Sequence, residues 1–434
     1  MSLPRWATST LNGLILAMVT IPASARPHQA LDSIDALDLQ INTTLSYLSN
    51  GNIPQAQLLA RQIAWRFPDF PLGQLIHAEL ESVSAFQDVR ISDHLPMPPD
   101  VSELLLEAQR RLAAVETAIA IERPEQDSDQ PLPGNVIQIG TNLSQLVIVD
   151  LQASVLFHYE TSNQQAVLLR QHYVGSGEAG FGKRVEGDLK TPLGVYTITG
   201  FRSDASLPDL YGSGALTLDY PNAMDQYLGR TGYGIWLHGV PSNQLSRTPY
   251  SSEGCVTMSN DHLTRLAHEL DASSTRVILT NDATPLQSDR RQTMQDEFRA
   301  LFSQYQRAWI TGDEKQLLGL YSDQDQLLEL LASGNNGLMR VSSVRGKSAR
   351  SPSQGLNHDL DHSWYQQAFA AIEPEQLNIF IHPDMTDNTL IPSDGVIVNA
   401  TFGSLDEFQI TTYWSRGLDG QWRILTESSE GAGL

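Results

Sequence analysis

Hydrophobic positions between residues 31 and 121 recur every three or four residues, a spacing typical of amphipathic helices. The run "ALDLQINTTLSYLS" ends at the turn signal "NGN", and the helical pattern resumes in "IPQAQLLARQIAWRF". The segment "FPDFP" precedes "LGQLIHAELES", and one more helix is predicted over 101–122. We therefore predict an α-helical N-terminal region over residues 26–125.

The period shortens to two in the middle of the chain. "SQLVIVDLQASVLFHYE" predicts two strands joined by a tight turn, and further strands are predicted in "QAVLLRQHY", "GVYTITGF", "GIWLHGV" and "TRVILTND". A single helix, "NDHLTRLAHELD", interrupts them. This pattern predicts a compact, mostly-β sandwich or barrel over residues 136–282. Polar, proline-bearing stretches at 126–135 and 283–292 are interpreted as linkers on either side.

The last segment, residues 293–434, begins with helices and continues with strands. The helical pattern of "TMQDEFRALFSQYQRAWITGDEKQLLGLYSD" precedes the strand-like runs "LNIFIHPD", "GVIVNATFGS", "EFQITTYWSRG" and "QWRILTES". Helices followed by an antiparallel sheet make an α+β fold. The helix carrying "AWITGD", the "YSD" turn and the final strand pair resemble the NTF2-like family, and this resemblance implies a cone-shaped fold with a pocket.

The N-terminal helices also show a resemblance. The order of helix, "NGNIPQA", helix, "FPDFP" and helix is similar to a tetratricopeptide-like hairpin, although the full repeat signature is absent. The helical and NTF2-like regions are both candidates for binding a protein or a small ligand.

Composition excludes several classes of protein. The chain has 434 residues, of which 41% are hydrophobic and 18% charged, as expected of a soluble protein with several domains. It has 28 Lys and Arg against 50 Asp and Glu, a net charge of −22. Nucleic acids bind largely through basic side chains that neutralise phosphates, so we expect no nucleic-acid partner.

The N-terminus, "MSLPRWATSTLNGLILAMVTIPASARPHQ", has the order of a secretory signal peptide. Its apolar stretch of about a dozen residues is shorter than the ~20 that span a bilayer, and "ASA" supplies a cleavage site. We predict a signal peptide over residues 1–25, with an uncleaved anchor as the alternative, and a secreted or periplasmic mature chain. No second apolar stretch is long enough to span a membrane.

Cys255 is the only cysteine of the chain, and His238 precedes it in the segment "GIWLHGVPSNQLSRTPYSSEGCVTMSND". A cysteine nucleophile needs a base for its proton and donors for the oxyanion that forms on attack. A helix predicted to begin near Ser259 or Asn260 is expected to lower the thiol pKa. The alternative is a small buried hydrophobic residue, the commoner role of a lone cysteine.

The surrounding residues resemble a known family. "HG" followed by "SSEGCVTM" is similar to the active-site signature of the YkuD-type L,D-transpeptidases, and "GDLKTPLGVYTI" is similar to an upstream element of that family. The resemblance extends over about 144–280. The residues that carry the signature are His238, Gly239, Ser252, Gly254, Cys255, Val256 and Met258.

The resemblance implies a role for each catalytic candidate. Cys255 would attack an amide carbonyl of a peptidoglycan stem peptide, at the third residue, and expel the terminal D-alanine. His238 would take the thiol proton, and the Gly239 carbonyl would orient the imidazole. The backbone amides of Gly254 and Cys255 would hold the oxyanion. Ser252 would hydrogen-bond within the loop, or form only a turn.

The remaining site candidates are weaker. Tyr233 and Trp236 either line the substrate groove or pack in the core. Thr257 stands where family members often carry arginine, a departure that leaves the substrate contacts and the acyl acceptor open. The histidines outside the signature have no zinc-site spacing, so we expect neither a metal nor a cofactor.

Three functions fit these observations. The first is a peptidoglycan L,D-transpeptidase, which passes the acyl group from Cys255 to an amine of a neighbouring stem peptide. The second is an L,D-carboxypeptidase, in which water accepts the same acyl group and a tetrapeptide stem is trimmed to a tripeptide. The third is a non-catalytic wall-binding or scaffold protein, in which Cys255 is unreactive.

Overall fold

A computed structural model describes residues 36–85, 103–111, 113, 132, 134–323, 369–383, 398–402, 408–417 and 419–431. The predicted signal peptide and most of the predicted linker over 126–135 lie outside the described residues. The described parts form a helical N-terminal region, a mostly-β central region and an α+β C-terminal region. The predicted multidomain fold class is therefore confirmed.

The N-terminal region consists of α1 (Ala36–Ser49), α2 (Ile53–Arg66), α3 (Pro71–Ala85) and a helix over 103–111, here α4. The α1–α2 turn contains Gly51, whose φ of +71° lies in the region that favours glycine. The apolar stripes of the helices meet in one core. Its members include Ile41, Leu45, Ile63, Phe70, Leu72, Ile76 and Ala108.

The central region is built on a single curled sheet. Its strands and helices are β1 (Val136–Gln138), β2 (Gln145–Asp150), β3 (Val155–Ser162), β4 (Gln165–Tyr173), β5 (Ser176–Gly177), β6 (Gly194–Ser203), β7 (Gly214–Leu218), α5 (Ala223–Tyr227), β8 (Trp236–His238), β9 (Tyr250–Ser252), β10 (Val256–Thr257), α6 (Asn260–Glu269) and β11 (Thr275–Thr280). Eight strands form one sheet in the order β10-β8-β7-β6-β11-β2-β3-β4. The short strands β5 and β9 form a separate parallel pair.

Both faces of this sheet are covered, which explains why β2 and β11 read as continuous apolar runs. Val147, Val149 and Val277 belong to one core, which also contains Leu263 of α6. The alternate positions of the same strands belong to the opposite core, together with Phe157. Because successive side chains of a strand point to opposite faces, β2 and β11 contribute to both cores.

The C-terminal region has the predicted order of helices and then strands. Its elements are α7 (Ser288–Thr311), α8 (Glu314–Leu320), β12 (Asn378–Ile381), β13 (Val398–Phe402), β14 (Phe408–Arg416) and β15 (Trp422–Gly431). Helix α7 packs against the sheet through Phe298, Phe302, Tyr305 and Trp309. The α+β plan is confirmed, and the NTF2-like assignment stays a prediction.

The C-terminal sheet takes one strand from the start of the central region. Its order is β1-β12-β13-β14-β15, and β1 pairs antiparallel with β12. Val136 of β1 and Phe380 of β12 lie in the same core as Phe157 of β3. The two regions therefore share a hydrophobic core as well as backbone hydrogen bonds.

Within the described residues, no helix combines the length and the apolar character that crossing a membrane requires.

Candidate active site

His238 and Cys255 lie at the ends of two neighbouring strands. Strand β8 ends at His238, and β10 begins directly after Cys255. The two strands are parallel, with Val256 opposite Leu237 and Thr257 opposite His238. The structure therefore brings the predicted nucleophile and base together, although many residues separate them along the chain.

The imidazole of His238 is oriented by a backbone carbonyl. Its Nδ1 lies 2.7 Å from the carbonyl oxygen of Gly239. A carbonyl only accepts, so Nδ1 carries the hydrogen and Nε2 has the free lone pair. Burial lowers the pKa of His238 to about 4, the hydrogen bond to Gly239 raises it, and the charge of Arg247 lowers it further. The imidazole is therefore neutral at neutral pH, in the form that accepts a proton.

The thiol of Cys255 is protonated in the resting site. Sγ donates to the carbonyl of Gly234 at 3.4 Å. Burial raises the pKa of Cys255 to about 11, a backbone hydrogen bond from Trp236 lowers it, the charge of Glu253 raises it and that of Lys183 lowers it. The resting pair is thus a thiol and a neutral imidazole.

The expectation of a lowered thiol pKa is wrong for this resting state. The following helix does begin where the sequence predicts, with Ser259 as N-cap and Asn260 as its first residue. The effect of a helix terminus falls off within the first turn. Desolvation is the larger effect on Cys255.

Ser252 braces the loop before the cysteine. Its hydroxyl donates to the carbonyl of Cys255 at 2.6 Å and accepts from the Gly254 N–H at 3.2 Å. Gly254 has a φ of +130°, and a Cβ there would lie 2.8 Å from the carbonyl oxygen of Lys190. Glycine is therefore required at this position.

The two amides predicted to hold the oxyanion differ in the resting site. The N–H of Gly254 is already bonded to Ser252. The N–H of Cys255 has no hydrogen-bond partner among the described residues. Of the two, the Cys255 amide is the donor that is ready for an oxyanion.

The weaker site candidates have different environments. Tyr233 is 77% exposed, so it is not a core residue. Trp236 is half-buried between the Tyr211 ring, at 5.1 Å, and the Arg202 guanidinium, at 5.3 Å from its ring centre. Thr257 is buried, and its hydroxyl has no hydrogen-bond partner in the part of the chain that the structure describes.

Tyr211 is a site residue that sequence reasoning missed. It ends the 3-10 turn Asp209–Tyr211, and its ring makes an edge contact with the His238 ring at 5.0 Å. Burial raises the pKa of Tyr211, and a thiolate at Cys255 would raise it further. No local pattern marks this tyrosine, because the contact joins two distant parts of the chain.

Asn260 is a second residue with a missed role. Its Oδ1 accepts from the N–H groups of Ser213 and Val240 at 2.9 and 3.2 Å, and its Nδ2 donates to the Val240 carbonyl at 2.8 Å. A Cβ on Gly239 would lie 2.1 Å from the same Oδ1. Asn260 therefore holds the loop whose Gly239 carbonyl orients His238.

In the described part of the chain, no three His, Cys, Asp or Glu side chains form a group that could hold a metal ion.

Comparison with known proteins finds a family match over the part of the chain that contains this site. Residues 144–279 match the family model of the YkuD domain, which is described as the L,D-transpeptidase catalytic domain. The matched range contains both His238 and Cys255. A search of curated proteins found no match.

Among solved structures, the chain is similar to the helical cell shape determining protein Pgp2 from Campylobacter jejuni. The identity is 19%, with 69% of this chain and 95% of that chain covered and a TM-score of 0.45. It is also similar to Bd1075 from Bdellovibrio bacteriovorus, at 18% identity, with 69% of this chain and 99% of that chain covered and a TM-score of 0.45.

Proposed function

Because residues 144–279 form a domain of the YkuD L,D-transpeptidase family, we propose that this protein is a peptidoglycan L,D-transpeptidase whose nucleophile is Cys255. The observation that carries the proposal is the parallel pairing of β8 and β10, because His238 ends β8 and Cys255 directly precedes β10. The carbonyl of Gly239 fixes the tautomer that a general base needs.

In the first half of the reaction, Sγ of Cys255 attacks the carbonyl carbon of the third stem residue, a diamino acid. Nε2 of His238 takes the thiol proton. The N–H of Cys255 stabilises the oxyanion, and rotation of Ser252 would free the N–H of Gly254 as a second donor. The C–N bond then breaks, His238 returns the proton to the leaving amine, and D-alanine departs from a thioester.

In the second half, an amine of a neighbouring stem peptide attacks the thioester carbonyl. His238 removes a proton from this amine, the C–S bond breaks, and the thiolate regains a proton from the imidazolium. The product is a crosslink between two stems.

The alternative acceptor is water, which would make the protein an L,D-carboxypeptidase. The test is product analysis after incubation of the protein with tetrapeptide muropeptides, beside the Cys255→Ala variant. Crosslinked dimers that require Cys255 support the proposal. Monomeric tripeptides without dimers assign the carboxypeptidase reaction instead, and the absence of any product assigns a non-catalytic role in the wall.

The proposed substrate requires a location outside the cytoplasm. The proposed signal peptide over 1–25 supports a secreted or periplasmic protein. The helical region and the proposed NTF2-like region would then bind further parts of the wall or partner proteins. Peptidoglycan stem peptides are the proposed substrates, with no metal or other cofactor.

A further inference from the structure

The segment 245–248 connects the helical region to the catalytic centre. It lies in the loop between β8, which carries His238, and β9, which precedes Cys255. Leu245 packs into the core of the N-terminal helices. The hydroxyl of Ser246 donates to Glu107 of α4 at 2.9 Å, and that of Thr248 donates to Glu103 at 3.2 Å. Three of the four side chains are thus held by the helices.

The fourth side chain of this segment, that of Arg247, points to the catalytic domain instead of the helices. Its Nη1 donates to the Ser251 carbonyl at 3.2 Å, on the strand that leads to Cys255. Its own carbonyl accepts from the Tyr173 hydroxyl at 2.9 Å. The ring of Tyr173 lies under the guanidinium of Arg111, 4.0 Å from the ring centre. The backbone of Arg247 is therefore fixed from the side of the helices, while its side chain lies on the side of the active site.

The other cations near the site are engaged differently. Lys183 forms an ion pair of 2.8 Å with Asp188. Arg202 lies over the Trp236 ring. Arg247 has no carboxylate partner among the residues that the structure describes, and its charge acts on His238. It is thus a half-buried cation held against strand β9, which leads to Cys255, and it can offer an ionic partner to a ligand.

The geometry of the leaving group brings a carboxylate close to the base. His238 protonates the nitrogen of the departing residue. When that residue is the last of the peptide, its carboxylate carbon lies only about 2.5 Å from this nitrogen, two covalent bonds away. A terminal carboxylate is therefore held close to the imidazole, where a guanidinium can bind it through two parallel hydrogen bonds.

We infer that Arg247 binds the terminal carboxylate of the departing residue, and that the N-terminal helices hold Arg247 in place for this contact. The site then recognises a free chain end and rejects an internal peptide bond. The inference rests on the proposed function, and it names the group that gives that reaction its specificity for the terminal residue.

Binding of a carboxylate at Arg247 would change the pKa of His238. A carboxylate bound to Arg247 would cancel the positive charge that disfavours the imidazolium, and so raise the pKa of His238 when substrate binds. The other contacts of the imidazole are the Gly239 carbonyl at Nδ1 and the edge of the Tyr211 ring, and neither carries a charge at neutral pH. Bound substrate would therefore make His238 a better proton acceptor than it is in the free protein.

The test measures binding without turnover, in a Cys255→Ala background. The probes are a stem tetrapeptide ending in D-alanine and the same peptide ending in D-alaninamide, titrated by calorimetry. With Arg247 present, we expect the acid to bind about 10–100-fold more tightly than the amide, as for a charged hydrogen-bonded pair. With Arg247→Gln the ratio falls to near one, and Arg247→Lys gives an intermediate ratio. Arg265→Gln, an exposed arginine on α6, keeps the full ratio.

A second readout follows the effect of the bound carboxylate on the pKa of His238. NMR titration of His238 should show a higher pKa with the tetrapeptide acid than without it, and no such rise in Arg247→Gln. If Arg247→Gln does not fold, the comparison of Arg247→Lys with the parent protein takes its place.

Three results would overturn the inference: equal binding of acid and amide by the parent, no binding of either, or an acid preference that survives in Arg247→Gln. If the preference behaves as expected but the unmodified enzyme leaves the tetrapeptide intact, the carboxylate site stands and the proposed reaction is wrong.

Discussion

Nδ1 of His238 lies 2.7 Å from the carbonyl oxygen of Gly239, the next residue of the chain. The group that orients the base is thus a backbone carbonyl, where many triads use a carboxylate side chain. A carbonyl cannot be removed by mutation, but its position depends on the loop that carries it. Asn260 holds that loop through Val240 and Ser213.

Replacing Asn260 with alanine should therefore impair catalysis as well as stability. The change leaves two N–H groups and one carbonyl without their partner, which should lower the free energy of unfolding by about 1–3 kcal/mol. Because the Gly239 carbonyl moves with the loop, kcat should fall more than KM rises. Urea unfolding and steady-state kinetics measure the two effects.

The matched control for Asn260→Ala is its neighbour, the N-cap Ser259. Ser259→Ala should cost about 1 kcal/mol of stability through the lost cap, with kcat retained. Equal kcat values for the two variants would show that Asn260 does not position the base.

The raised pKa of Cys255 predicts how the rate of thiol alkylation depends on pH. Burial raises this pKa to about 11, so the thiolate that alkylating agents require is rare at neutral pH. In the native protein the rate of iodoacetamide alkylation should rise about tenfold per pH unit between pH 7 and 10. In urea it should level off above a pKa of about 8.5. Because Cys255 is the only cysteine, intact mass follows the reaction directly. A native rate that is flat from pH 6 to 9 would instead indicate a preformed thiolate.

Tyr211 should influence the rate through its ring. The ring contacts His238 at 5.0 Å and Trp236 at 5.1 Å, so its removal lets the imidazole shift. We expect Tyr211→Ala to lower kcat about 10–100-fold, because small displacements of a catalytic group have effects of this size. Tyr211→Phe keeps the ring and should keep most of the activity. A large loss in Tyr211→Phe would assign the effect to the hydroxyl, and full activity in Tyr211→Ala would exclude a role for the ring.

The contact between α4 and the segment 245–248 should affect both stability and activity. Glu107 is buried, pairs with Arg111 at 2.9 Å and accepts from Ser246. Glu107→Ala breaks a buried pair, which typically costs about 3–5 kcal/mol, and it releases the loop. Unfolding free energy and kcat/KM should therefore both fall.

The control for Glu107→Ala is Glu103→Ala, an exposed residue of the same helix that accepts from Thr248. It should change stability by less than about 0.5 kcal/mol. If Glu107→Ala lowers stability and leaves kcat/KM unchanged, the helical region does not act on the site.

The strand pattern and the catalytic pair were predictable from the sequence because both are local. Alternating apolar residues gave the strands that surround His238, and the signature that contains His238 and Cys255 lies in one continuous segment. Tyr211 and Asn260 contribute through contacts between separate loops, which no local period encodes. The neighbours of Arg247 are held by hydrogen bonds to α4, and β1 joins the C-terminal sheet through a pairing with β12. These features are long-range, so only the fold reveals them.

The central claim is that Cys255 carries the acyl group, and intact-mass spectrometry tests it most directly. The protein is mixed with a stem tetrapeptide and quenched in acid at short times. We expect a covalent adduct equal to the peptide without its terminal D-alanine, located on the fragment that contains Cys255, and absent in Cys255→Ala. Release of D-alanine by the Cys255→Ala variant, or turnover by the unmodified protein with no adduct on that fragment at any time, would contradict it.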